Sequence, residues 1–238
     1  MSLFDRIRER RFAPGPGVSG PSPKSGGARY SFLFKTHFWK LVSLNLLVVV
    51  FSIPIVTIPA AMAGGAHVLM KLVRTGNCFL WDDFWEEFKR DFLHRAPIGL
   101  SFFALPALAY MICYNLDKGA LGAGLAAGLG LIFYPAACYW YSLITTVDLP
   151  TGANTKNAFL LISLEGKTTL KLELMLLIHV AVVFLLPYTI PVIVLMSFSF
   201  IQLGACVMVW PALQRRVIAK DASEAPADGD SGSGAAGE

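Results

Sequence analysis

Residues 41–70 read LVSLNLLVVVFSIPIVTIPAAMAGGAHVLM, thirty positions without a Lys, Arg, Asp or Glu. A helix crossing a bilayer needs about 20 apolar residues, so the run is too long for one span and short for two. Pro54 and Pro59 lie near its middle. Each removes a backbone donor and crowds the turn before it, which a continuous helix does not tolerate twice in five residues. The run is therefore predicted to bend around residues 52–59 into a Pro-kinked helical hairpin, with Asn45, Pro54, Thr57 and Pro59 shaping it. Its second arm is short or re-entrant and ends at Lys71.

Composition points the same way. Of 238 residues, 55% are hydrophobic and 15% charged, against roughly 25% charged in an ordinary soluble domain. Mean hydropathy is +0.58. So much apolar surface exceeds what a water-soluble fold of this size buries, and the chain reads as an all-α, polytopic transmembrane bundle of about five to six membrane segments. Three domains follow from composition. Residues 1–29 combine a basic segment with a Gly/Pro/Ser linker, residues 30–217 form the transmembrane helical domain, and residues 218–238 are a small-residue, acidic tail. Linker and tail are expected to be disordered. No cleavable signal peptide is read, so the first membrane segment is expected to serve as its own insertion signal.

Further apolar runs cover residues 98–116, 119–147 and 172–213, the last holding two spans around Pro187 and Pro191. Positive charges decide the topology. If residues 41–70 enter and return, 19 of the 20 Lys and Arg face one side and only Lys118 faces the other. A single crossing would leave the outside more basic than the inside, against the rule that cytoplasmic loops carry the positive charge. Both termini are therefore expected in the cytoplasm of a multi-pass protein of the bacterial inner membrane.

The segment from Cys78 to Pro97 holds aromatics at intervals of three and four: Trp81, Phe84, Trp85, Phe88 and Phe92. Asp82, Asp83, Glu86, Glu87, Lys89 and Arg90 take the other face, which predicts an amphipathic helix lying on the cytoplasmic surface. The aromatic face could cover its own bundle or dock a partner. The acidic face reads as solvated, its carboxylates paired with bases at helical spacing. At membrane depth the polar suspects are His67, His179 and Gln202, with Asn45 in the first arm, and no Asp or Glu is expected deep in a span. Ala60-xxx-Gly64, Ala61-xxx-Gly65 and Gly124-xxx-Gly128 allow close helix contact and homo-oligomerisation. Tyr139, Trp140, Tyr141 and Trp210 read as an aromatic belt.

No motif for a cofactor or metal is present. Cys78, Cys113, Cys138 and Cys206 form no CxxC pair and read as buried fillers. Gly166-Lys167-Thr168 matches the end of a P-loop, but Leu161 stands where the leading glycine belongs and no strand precedes it. The basic residues flank membrane segments, which suits anionic lipid and not nucleic acid.

Several of these stretches resemble the YesL-like family of bacterial integral membrane proteins: Asn45-Leu-Leu47, Pro54-Ile-Val-Thr57-Ile-Pro59-Ala60, Lys71-Leu-Val-Arg74-Thr-Gly76, and Asp83-Phe84-Trp85-Glu-Glu-Phe88-Lys-Arg-Asp-Phe92. A weaker match follows at Lys156-Asn-Ala-Phe159, and the resemblance covers roughly residues 32–216. Asp91 departs from the Asn common in that family. The resemblance implies a protein accessory to a carbohydrate ABC uptake system, with a sugar transporter permease as partner, and with no catalytic constellation in the sequence the chain is read as non-enzymatic. The alternatives are an autonomous small-solute transporter and, third, a membrane-embedded enzyme.

Overall fold

The computed structural model describes residues 26–90, 92–185 and 190–218; every regular element there is helical, with no strand among the described residues. The expected disordered linker up to residue 25, the tail from 219 and the turn at Pro187 lie outside them. Helices α1 (Gly26–Thr36) and α2 (Phe38–Phe51) meet at a bend of 84°. The linker expected to run to residue 29 thus gives way to helix at Gly26. Arg29 is buried, and its Nη2 donates to the Val73 carbonyl (2.8 Å), one of the carbonyls a helix leaves open at its C-terminal end.

Between residues 52 and 57 the chain leaves the helical path where the prolines require it. Pro54 is extended, a 3-10 turn covers Ile55–Thr57, and the Thr57 hydroxyl lies 2.6 Å from the Phe51 carbonyl and 2.7 Å from that of Pro54. Helix α3 (Ile58–Thr75) starts with Pro59 in its first turn, where a missing N–H does no harm. It ends on Gly76 at φ +80°, whose N–H caps the Leu72 carbonyl. An L side chain rarely adopts that conformation, so glycine is needed there.

Helix α4 (Leu80–Lys89) turns back, followed by α5 (Phe92–Asn115), α6 (Gly119–Ile144), α7 (Thr151–Leu164), α8 (Gly166–Leu185) and α9 (Ile190–Leu213), with a π-turn at Gln214–Ile218. Among the described residues three segments are long and apolar enough to cross a membrane: α3 with its preceding turn, α5 from His94, and α6. The bent α1–α2 pair would make a fourth.

Helix α3 is the hub. Its face of Ala60, Ala61, Ala63, Gly64, Gly65 and Ala66 is buried, and a Cβ placed on Gly65 would lie 2.7 Å from Phe198 of α9 and 3.0 Å from Val48 of α2. The small residues at 60–65 therefore serve packing inside the chain. Tyr139, Trp140 and Tyr141, expected as a belt at the membrane surface, are instead fully buried. Trp140 Nε1 donates to Thr155 of α7 (3.0 Å) and the Tyr139 hydroxyl pairs with Thr169 of α8 (3.2 Å), because these two following helices fold over the end of α6. The outer parts of α5 and α6 contrast with this core: Leu108, Met111, Ile112, Leu121, Leu125 and Ile132 are exposed.

Candidate functional site

Charge gathers where α4 runs back along α3. The short turn after Gly76 is held by Lys40 of α2, whose Nζ donates to Asn77 Oδ1 (3.0 Å) and to the Cys78 carbonyl (3.2 Å). Burial pushes the Cys78 thiol up, with Lys40 opposing, so this cysteine is poorly reactive. α4 opens with Asp82 and Asp83 in its first turn and closes on Lys89, matching the helix dipole at both ends. Asp83 Oδ2 accepts the Phe79 N–H (2.8 Å), which satisfies a donor at the helix start.

The pairings fix an antiparallel register. Lys71 Nζ donates to Asp83 Oδ1 at 2.6 Å, and one turn away His67 Nδ1 lies 3.7 Å from Glu87 Oε2. A further turn along α3, Gly64 lies under Phe84: an added Cβ would sit 2.9 Å from both the ring and the carbonyl oxygen of Phe84. Glycine here allows two helices to approach more closely than any side chain permits. Glu87 carries the most interactions. Its side chain is 0% exposed, its Oε1 accepts Arg95 of α5, and its Oε2 lies 3.6 Å from Arg90 Nη1. Arg90 reaches on to Asp148 at 3.6 Å, a residue on the far side of α6 in sequence and 93% exposed in its side chain.

Two of the four α4 acids therefore depart from the expected solvated face. Asp82 and Glu86 are exposed, whereas Asp83 and Glu87 are buried, because α4 presses its side against α3 instead of lying free on a surface. The aromatic stripe divides likewise. Phe84 is fully buried; Trp85, Phe88 and Phe92 are half-buried; Trp81 is exposed. Phe51 of α2 meets Phe84, Trp85 and Phe88 with ring centroids 5.9, 4.9 and 5.5 Å apart. Covering the bundle thus takes up most of the face that was also expected to dock a partner.

Of the expected kink residues, Pro54, Thr57 and Pro59 lie at the break before and into α3, where Pro59 is buried and would touch a Cβ added to Gly99 of α5; Asn45 lies away from it. Asn45 is buried on α2 and its Oδ1 accepts the Ser199 N–H of α9 (3.1 Å). Gln202 is buried on α9 and His179 half-buried on α8; among the described residues no hydrogen bond or ion pair joins either to the α3–α4 cluster. One acid escaped the sequence reading: Glu173, second residue of the 172–213 run, is half-buried on α8. A charge two positions inside an apolar run was the signal that could have found it.

His67, Asp83 and Glu86 offer ligand atoms within 4.8 Å of one another. Both Asp83 oxygens are engaged, by Lys71 and by the Phe79 N–H, so a cation would have to displace an ammonium already in place. Chemically the cluster ties α3, α4 and α5 together. Away from it, hydrogen bonds from Arg216 and Arg215 outweigh the burial of Glu165 and hold its carboxyl below the usual range, fastening the α7–α8 junction to the end of α9.

These features define a helical membrane protein whose charged groups are arranged for internal cohesion. Residues 41–112, which hold the α3–α4 unit and all but the last three residues of α5, match a family described as "Protein of unknown function, DUF624". No curated protein and no solved structure matches the chain.

Proposed function

We propose that this chain is a YesL-like, non-enzymatic accessory subunit of the bacterial inner membrane that docks a partner within the bilayer, the partner being the permease of a carbohydrate ABC uptake system. The observation that carries this reading is the uncovered face of α6. Gly124 and Gly128 stand one turn apart with nothing within 4 Å of an added Cβ among the described residues, beside exposed Leu121 and Leu125. A face meant for lipid alone gains nothing from glycine, which lowers helix stability by about 1 kcal/mol relative to alanine at each position. Small residues four apart suit close approach of another helix. The family match over 41–112 spans the residues on which the YesL-like resemblance chiefly rests.

A photo-crosslinker placed at Leu125 in the full chain is expected to capture a transporter permease, and Gly128→Leu to abolish the capture. A second crosslinker at Trp81, the exposed aromatic of α4, is expected to capture the same complex from the cytoplasmic side. Adducts to lipid alone, or to a second copy alone, would overturn the accessory role and favour the autonomous transporter or a homo-oligomer.

The proposed topology has six membrane segments, the first two forming the Pro-kinked hairpin, with both termini in the cytoplasm. Cys78 is too buried to report it. In a variant lacking the native cysteines, Lys118→Cys is expected to react with a membrane-impermeant thiol reagent in intact cells. Asp148→Cys should react only after permeabilisation. The reverse pattern would invert the bundle.

A further inference from the structure

Glu173 lies on α8 where that helix passes α6. One turn before it, Thr169 pairs with the Tyr139 hydroxyl of α6 at 3.2 Å. The two helices run in opposite directions here, so one turn later on α8 meets one turn earlier on α6. That is where Glu173 comes close enough to Tyr134 and Cys138 to act on both electrostatically. Two residues further on, Met175 faces Gly204 of α9, where an added Cβ would lie 2.9 Å from its sulfur. Glu173 thus sits in a seam between three helices, its other side bordered by exposed Leu170, Leu174 and Leu177.

Two polar atoms in this seam are buried: Glu173 Oε2, which has no hydrogen-bond partner among the described residues, and the Tyr134 hydroxyl, which lies against the Cys138 thiol. The groups around them are a phenol and a thiol from α6 and, behind Cys138, the Cys206 thiol of α9. On α8 itself Lys171 is exposed two positions away on the other side of the helix, Lys167 belongs to the first turn, and His179 stands six positions on. No basic group among the described residues pairs with Glu173. An ionised carboxylate among apolar side chains with one hydroxyl for company is costly, and buried acids in that position take up a proton instead.

We propose that Glu173, with Tyr134 beside it, is a proton-binding site in the membrane: a carboxyl held as the neutral acid, its O–H directed into the α6–α8–α9 seam and its other flank open to lipid. This assignment is independent of the accessory role but rests on α8 being one of the six proposed membrane segments. The acid contrasts with Glu87, which is more deeply buried but carries Arg95 on one oxygen and Arg90 near the other.

The test uses the full chain in native membranes and dicyclohexylcarbodiimide, an apolar reagent that requires a protonated carboxyl. The acid proton passes to a carbodiimide nitrogen as the carboxyl oxygen bonds to the central carbon, and the adduct rearranges to a stable N-acylurea. Labelling of Glu173 is expected at neutral pH, absent in Glu173→Gln, and falling about tenfold per pH unit on the alkaline side. Glu87 is expected to stay unlabelled. Because reagent access could fail, infrared difference spectra of wild type and Glu173→Gln provide a second readout. The carbonyl band of a protonated carboxylic acid is expected in the wild type at neutral pH, shifted in Tyr134→Phe and missing in Glu173→Gln. Absence of that band in the wild type, or labelling of Glu173 that does not vary with pH, would overturn the proposal.

Discussion

Glu87→Ala is expected to destabilise the protein by about 3–5 kcal/mol, the usual loss when one member of a buried ion pair is removed and the other stays behind. The loss reaches every group gathered on the one carboxylate. Arg95 has only 13% of its side chain exposed, and without Glu87 its guanidinium loses a buried carboxylate partner. Arg90 and His67 lose the same neighbour. Thermal unfolding of the purified protein in lipid nanodiscs reads the effect. Asp82→Ala, an exposed acid on the same helix, serves as the control and should shift stability little. The double variant Glu87→Leu with Arg95→Met should recover most of the loss, since a buried pair replaced by apolar groups of similar volume is often neutral. A Glu87→Ala protein as stable as the Asp82→Ala control would show that α4 does not lie in this register on α3.

Phe84→Ala is expected to cost about 3–5 kcal/mol, as large-to-small changes of buried aromatics do. Phe84 is fully buried against Gly64 on one side, with the Phe51, Trp85 and Phe88 rings around it. Trp81→Ala, three positions earlier on α4, should stay within about 0.5 kcal/mol because its ring is exposed. The pair of variants separates cohesion from docking: Phe84→Ala should lower stability, while Trp81→Ala should leave stability intact. Equal losses at both positions would mean that the helix presents its stripe the other way round.

The sequence made the helical class legible because a 30-residue run free of charge admits few structures, and the prolines at 54 and 59 placed the break between α2 and α3. Aromatic spacing likewise placed α4. What spacing could not convey is which side of α4 faces the protein. Periodicity marks an apolar stripe and an acidic stripe, but Asp83 and Glu87 lie at its edge, and their burial depends on Lys71 and Arg95, partners 12 and 8 residues away. The same limit explains Tyr139, Trp140 and Tyr141. Three adjacent aromatics at the end of a span look like a surface belt until α7 and α8, which come later in the chain, close over them. Small-xxx-small pairs were equally ambiguous: Gly64 and Gly65 are used inside the chain, Gly124 and Gly128 are not. Glu173 was passed over because averaging over a long apolar run hides one charge near its edge.

The hydrogen bond between Asn45 and Ser199 spans 154 residues, joining one of the first helices to the last described one. The ties within the α3–α4 unit, by contrast, join residues 12 to 20 apart, so that unit can close early during synthesis. The face of α3 carrying Gly65 has to wait for Phe198. Until α9 has been made, Asn45 and that glycine face have no partner from it. Such long-range closure is slow, and the half-made chain is the species most exposed to proteolytic surveillance. A ribosome that stalls within the α9 codons would release a product that looks nearly complete in length yet lacks the helix that seals its centre.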